Sequence, residues 1–298
     1  MPHQPDPHTD KHIQIHPHAP DDLPYEAWMR LMMDFFRQGG DIARQWQRKL
    51  TPSHKGDKSI VTEADVEIST LAHQIFAPLK EQGHLVVEEE SVSDLGAPTA
   101  DLFAKHDFIW AIDPIDGTKA YTMHLPTYAI SVGLLYKGTP LMGGVYLPKT
   151  DELFIHDGQK ANLIENPFST QTHTENLCVL KNLVGYMPFD IISKVYADRY
   201  DPKKLPCDLT ASNAYATALA YVAAGRTCGS YFKLALWDMA GAWPLLACSG
   251  AQILRIKDGK SISEVTPDML TQTWCFKDDY IACNPAFYES FKKAFKAR

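Results

Sequence analysis

The chain has 298 residues, 45% of them hydrophobic, and a formal net charge of -7 at pH 7. That size supplies the core of one large domain or two closely packed subdomains, and the acidic balance excludes a general binder of nucleic-acid polymers. No run approaches the roughly 18 to 20 apolar residues of a membrane-spanning helix and the N-terminus is polar, so no membrane contact is expected.

Residues 1–22 are rich in His, Pro and Asp, with His3, His8, His12, His16 and His18 close together, and they lack hydrophobic periodicity. Such a composition predicts a disordered tail. Behind it the pattern suggests an N-terminal α+β subdomain over 23–160 and a C-terminal α/β subdomain over 161–298. Tyr25, Trp28, Leu31, Met32, Phe35 and Phe36 recur at helical spacing and predict a helix that ends near Gly39-Gly40 or continues past it. A second helix should start at Thr62, with Asp65 three residues on completing its cap, and bury Ile68, Leu71, Ala72, Ile75 and Leu79.

Leu85-Val86-Val87 reads as a short strand that carries Glu88, Glu89 and Glu90 out at its end. Phe108 to Ile112 reads as a buried strand, stopped by Pro114 and Gly117. Strands at 129–136, 143–147 and 152–156 predict a largely antiparallel sheet. Farther on, the pattern alternates: a strand at 177–180, a helix at 191–197, a small-residue helix at 213–224, a strand at 229–234 and an apolar helix from about Met239 to Cys248. The interleaving indicates a mixed α/β fold.

Trp110-Ala111-Ile112-Asp113-Pro114-Ile115-Asp116-Gly117-Thr118-Lys119 is the most informative stretch. An apolar strand delivers two carboxylates three residues apart into a turn, where the Ile115 carbonyl can join them on one hard cation. Gly117 and Thr118 open the next segment, whose free N–H groups and hydroxyl can hold a phosphate beside it. Oxygen ligands without His or Cys favour Mg²⁺ over zinc.

With Ile60-Val61-Thr62-Glu63-Ala64-Asp65, Val87-Glu88-Glu89-Glu90-Ser91 and Trp237-Asp238-Met239-Ala240-Gly241-Ala242 in order around it, this stretch resembles the signature of the inositol monophosphatase family. The resemblance covers most of the chain from about Tyr25. It implies a layered α/β/α/β/α fold of the sugar-phosphatase type with the active site between two subdomains, a homodimer, and a Li⁺-sensitive phosphatase using two to three Mg²⁺ per subunit. It also assigns Glu89, Asp113 and the Ile115 carbonyl to one metal, and Asp113, Asp116 and Asp238 to a second. Glu90 then orients the attacking water, Asp65 and Thr118 form a proton relay, and Gly117 and Thr118 donate to the phosphate.

The substrate-side residues depart from the inositol-specific pattern. That pattern carries an acid a few positions before the Trp-Asp pair, where this chain has Ser230-Tyr231-Phe232-Lys233-Leu234-Ala235-Leu236. Lys233 replaces a hydroxyl acceptor with an anion contact, and Tyr215 in Asn213-Ala214-Tyr215-Ala216 narrows the pocket. Tyr215 or Tyr231 could stack on a base or imidazole. Lys119, directly after Asp-Gly-Thr, is similar to the residue in the histidinol-phosphate phosphatase and 3′(2′),5′-bisphosphate nucleotidase branches. The expected reaction is therefore hydrolysis of a small phosphate monoester of the inositol phosphate, histidinol phosphate or 3′-phosphoadenosine 5′-phosphate class.

The competing reading is a dimeric binding or regulatory module that keeps the fold without catalysis. A P-loop nucleotide binder is excluded, because no Gly-x-x-x-x-Gly-Lys-Ser/Thr occurs. The six cysteines, Cys178, Cys207, Cys228, Cys248, Cys275 and Cys283, form no Cys-x-x-Cys pair and have no His partner at zinc spacing, so reduced thiols in a cytoplasmic protein are expected.

Overall fold

The computed structural model describes residues 19, 20, 22–49, 53, 54, 60–177, 187–191 and 199–295. Helix α1 (Tyr25–Gln47) lays Trp28, Met32, Phe35, Phe36 and Ala43 into the core and runs straight through Gly39 and Gly40. Gly40 is a packing requirement, since a Cβ there would collide with the Tyr146 ring. A short antiparallel pair, β1 (Ser53–His54) and β2 (Ile60–Val61), leads to α2 (Glu63–Glu81). Phe76, rather than the expected Ile75, takes the buried place on α2 beside Ile68, Leu71, Ala72 and Leu79.

The large sheet is built from β3 (Leu85–Glu88), then β4 (Phe108–Asp116), β5 (Ala129–Tyr136), β6 (Thr139–Leu147), β7 (Glu152–His156), β8 (Ala161–Glu165) and β9 (His173–Asn176). Its seven strands follow chain order, and only β3 and β4 are parallel. Helices α3 (Val92–Leu95), α4 (Ala100–Lys105) and α5 (Thr118–Thr122) lie in the connections on either side of β4. β8 and β9 carry the sheet past residue 160.

The smaller sheet has five strands, β11-β10-β12-β14-β13, from β10 (Phe189–Ile191), β11 (Leu209–Thr210), β12 (Gly229–Phe232), β13 (Gln252–Arg255) and β14 (Tyr280–Cys283). Between the sheets stand α6 (Tyr215–Ala223), α7 (Leu236–Ala240) and α8 (Trp243–Ser249), and α9 (Tyr288–Lys292) closes the far side. Strand alternation divides the core accordingly. Trp110 and Ile112 face α1 and α2, whereas Ile109 and Ala111 face the middle helices. On β14, Tyr280 and Ala282 join that middle core, and Ile281 and Cys283 join Phe291 of α9 in the outer one. The expected α/β/α/β/α order is thus the observed one.

Three local expectations change. The strand predicted to end at Ile112 continues to Asp116 through a register shift. The helix predicted over 239–248 is two helices parted at Gly241 and Ala242, and Pro244, with no N–H to continue the first helix, stands in the first turn of the second. Ile191, expected to open a helix, ends a strand. Residues 178–180 of one predicted strand, residues 192–197 of that helix, Cys178 and residues 1–18 and 21 of the tail lie outside the described residues.

Candidate metal centre

The key to the site is the irregularity in β4. Asp113 pairs with Ser131 of β5 and Asp116 with Ala129, so three steps along β4 match two along its partner. In a regular strand, residues three apart point to opposite faces; one extra residue restores a common face. Asp113 and Asp116 therefore converge, and with Asp238 they offer three oxygens all within 4.8 Å of one another. Pro114 is compatible with this because the bulge asks no ladder hydrogen bond of it.

Each carboxylate is held by backbone. Asp113 accepts the Ile115 N–H at 3.0 Å. Asp116 accepts the N–H groups of Tyr215 and Ala216 at 2.8 Å and of Thr217 at 3.3 Å, all in the first turn of α6. Asp238, in the first turn of α7, accepts the Ala235 N–H at 2.8 Å. These amides fix the oxygens but leave their charge uncompensated.

Burial and mutual repulsion push the protons back on. Burial raises Asp113 well above the usual carboxylate range, and Glu89, Asp116 and Asp238 add to the effect. Burial and then Asp238 push Asp116 up to about 8, against the opposing amides of α6. Burial pushes Asp238 up to about 6, opposed by the Ala235 amide and by its hydrogen bond with Asp113. The largest influences on the three are burial, one another's charge and that of Glu89, and backbone amides. A hard divalent cation fits such a donor set, because it repays the desolvation and repulsion at once.

The remaining predicted residues surround this triad. Glu89 shares a hydrogen bond with Asp113, and its N–H donates to the Ile112 carbonyl at 3.2 Å. Glu90 follows in the turn, half-buried, with its N–H on Glu88 Oε1 at 3.0 Å. Asp65, buried in the first turn of α2, closes a capping box with Thr62. Its Oδ1 faces the Thr118 hydroxyl at 3.4 Å, which also lies 3.2 Å from the Ile115 carbonyl. Gly117 adopts φ 78°, and a Cβ on it would meet Ala214 Cβ at 2.6 Å and the Asn213 carbonyl at 2.8 Å. Lys119 is exposed at the start of α5.

Tyr215 and Lys233 are placed differently from the metal ligands. Tyr215 contributes its N–H to Asp116, while its half-buried side chain packs on the middle core. Lys233 lines a cavity of about 50 Å³ with Ile256, Lys257, Lys277, Asp278 and Asp279. Tyr231, a possible stacking platform by sequence, is buried and stacks on Phe295 in the outer core, away from the acids.

Sequence reasoning missed Glu88, which is buried and accepts the Ser69 hydroxyl at 2.9 Å and the Ser91 N–H at 3.1 Å, so it ties the acidic turn to α2. Its place at the inward end of an apolar strand was the available signal. It also missed Cys275, whose thiol senses Asp238, Glu89 and Lys233 and so lies beside the site. Nothing local marks it.

A profile of the Inositol monophosphatase family matches residues 33–296. The chain belongs to the inositol monophosphatase family. Among its relatives, the Nus factor SuhB of Salmonella typhimurium is 30% identical over 229 residues, covering 72% of this chain and 79% of that protein. Inositol monophosphatase 1 of Solanum lycopersicum is 30% identical over 164 residues, 54% of this chain and 56% of that protein. The crystal structure of the extragenic suppressor protein suhB from Bartonella henselae superposes with a TM-score of 0.69 at 21% identity, covering 91% of this chain and 98% of that one. The inositol monophosphatase fold is therefore shared over nearly the whole chain. Among the described residues, no helix is long and apolar enough to cross a membrane.

Proposed function

We propose that this chain is a Mg²⁺-dependent phosphomonoesterase acting on a small-molecule phosphate. The observation that carries the reading is the convergence of the buried Asp113 and Asp116 and the half-buried Asp238 within 4.8 Å, with Asp65 and Thr118 alongside. Glu89, Asp113 and the Ile115 carbonyl would hold one cation, and Asp113, Asp116 and Asp238 another, with a third weaker ion near Glu89. Bound there, divalent cations supply the Lewis acidity that activates water and neutralises charge on a phosphate ester.

The protein's own groups would do the rest. Asp65 Oδ1, facing the Thr118 hydroxyl at 3.4 Å, can take up a proton relayed from water through Thr118 Oγ1. Glu90 would orient that water. The first turn of α5, opened by Gly117 and Thr118, turns its N–H groups towards a phosphate. Lys119 and Lys233 would meet a second anionic group, with the Tyr215 side bounding the pocket. A homodimer in the cytoplasm is the assembly we expect from the family and from the free thiols of the five described cysteines.

The test is Mg²⁺-dependent phosphate release from inositol 1-phosphate, histidinol phosphate, 3′-phosphoadenosine 5′-phosphate and fructose 1,6-bisphosphate, with Asp113→Asn as control. One preferred substrate, lost in the control, establishes class and branch. A second reading, a binding or regulatory module, draws on the relative named a Nus factor. Thermal stabilisation by Mg²⁺ with no turnover of any of the four substrates would favour it.

A further inference from the structure

We propose that Cys207 and Cys228 are a thiol pair that small disulfides oxidise to an intramolecular disulfide, stapling the smaller sheet. Their sulfurs lie 3.3 Å apart. A disulfide needs about 2.05 Å, so the two must approach by about 1.3 Å. Both residues sit in bends just outside strands, Cys207 two residues before β11 and Cys228 one before β12.

The start of β10 holds the two bends together. The Phe189 N–H donates to the Asp208 carbonyl at 2.7 Å, and the Cys228 N–H donates to the Pro188 carbonyl at 3.0 Å. Both cysteines are partly exposed, whereas the nearby Cys283 is buried in the outer core. A small oxidant can reach the pair, and each sulfur lies at hydrogen-bond distance from the other.

Chemistry assigns the order of attack. The hydrogen bond between the two thiols, with the Phe189 N–H, holds the Cys207 thiol below its usual range, while Cys228 is raised by the same hydrogen bond and by burial. Cys207 is therefore the better thiolate. It attacks one sulfur of a low-molecular-weight disulfide and expels the other as a thiolate, leaving a mixed disulfide. Cys228, its proton lost to solvent, attacks Cys207 Sγ and expels the second small thiolate. Two protein thiols are oxidised, one small disulfide becomes two thiols, and the two protons end on them.

The tie would close residues 207–228 into a covalent ring that contains α6, whose first-turn amides hold Asp116. It also anchors the base of β12, the strand that leads to Asp238. None of this depends on phosphatase activity.

The experiment exposes the folded, reduced full-length chain to oxidised glutathione, then reads intact mass, the linked peptide and thermal unfolding. The expected product is lighter by about 2 Da, joins Cys207 to Cys228, and melts several degrees higher than the reduced form. Cys207→Ser and Cys228→Ser, or the alanine variants if serine impairs folding, should each abolish the link and the shift. A stable glutathione adduct without the link, a link to Cys283, or a link between chains overturns the proposal. So does the Cys207–Cys228 link without a rise in melting temperature, since the staple would then hold nothing.

Discussion

The carboxylate of Asp116 accepts the backbone N–H of Tyr215 at 2.8 Å, across 99 positions of sequence. A residue on the bulged strand of the large sheet is thereby fastened to the first turn of a helix in the middle layer. Helix α6 gives its N-terminal amides to an acid of the candidate metal centre, so its position and the direction of that acid are one structural fact.

Asp113→Asn should separate stability from metal binding. Asp113 is buried and repelled by Glu89, Asp116 and Asp238. Removing its charge should leave the metal-free fold as stable or more stable by about 1 kcal/mol. Stabilisation by Mg²⁺ should vanish, and activity should fall about a thousandfold, equivalent to about 4 kcal/mol. Thermal unfolding with and without Mg²⁺ reads the first two, and a variant still stabilised by the ion would contradict the assignment.

The pH dependence has a definite sign. Asp238 and Asp116 sit at about 6 and about 8 in the metal-free fold, above their ordinary value of 3.8. The folded state therefore holds protons that the unfolded chain has released, and metal-free stability should decline as pH climbs through that window. A cation needs the ionised carboxylates, so the rise in melting temperature on adding Mg²⁺ should be small at about pH 6 and larger at about pH 8. Equal shifts at both would show that the acids are already ionised.

Gly133→Ala tests the seat of α7. A Cβ at Gly133 of β5 would reach to 2.5 Å from Ala240 Cβ and press on the Ala240 backbone. Overpacking there should cost about 1 to 3 kcal/mol in denaturant unfolding and weaken Mg²⁺ binding by displacing the helix that carries Asp238. Wild-type stability and Mg²⁺ response in this variant would show that α7 moves freely.

Thr62→Ala removes one half of the capping box. Thr62 Oγ1 lies 2.5 Å from Asp65 Oδ2, and the Thr62 N–H donates to the same oxygen at 2.8 Å. The loss should be about 1 kcal/mol, recovered by Thr62→Ser. Because Asp65 also faces Thr118, the proposed phosphatase activity should fall in the alanine variant and return in the serine one. Stability restored by serine without activity would place Asp65 outside the chemistry.

Local rules made much of the fold legible. Periodicity found α1, a Thr-x-x-Asp box found the start of α2, and turn residues between apolar runs found β5 and β7 at their observed bounds. Long-range facts were hidden. Pro114 reads as a stop because proline normally leaves a ladder, and only pairing with β5 turns it into part of a bulge. The need for glycine at 241 is set by Ser131 and Gly144 on two distant strands. At the site, Asp113, Asp116 and Asp238 could be named from the chain, and the structure brings them together. The amides of Tyr215, Ala216 and Thr217 could not, because every residue but proline has an N–H and only tertiary placement gives it a task.

The extra residue in β4 has a consequence for how a cation arrives. The pairing with β5 fixes the backbone at both acids, so the strand cannot shift to move them apart. The main chain alone brings the two carboxylates to one point, and protons held there by burial and mutual repulsion stand in for positive charge. Binding a divalent cation should need little rearrangement of the main chain, and it should release those protons to solvent.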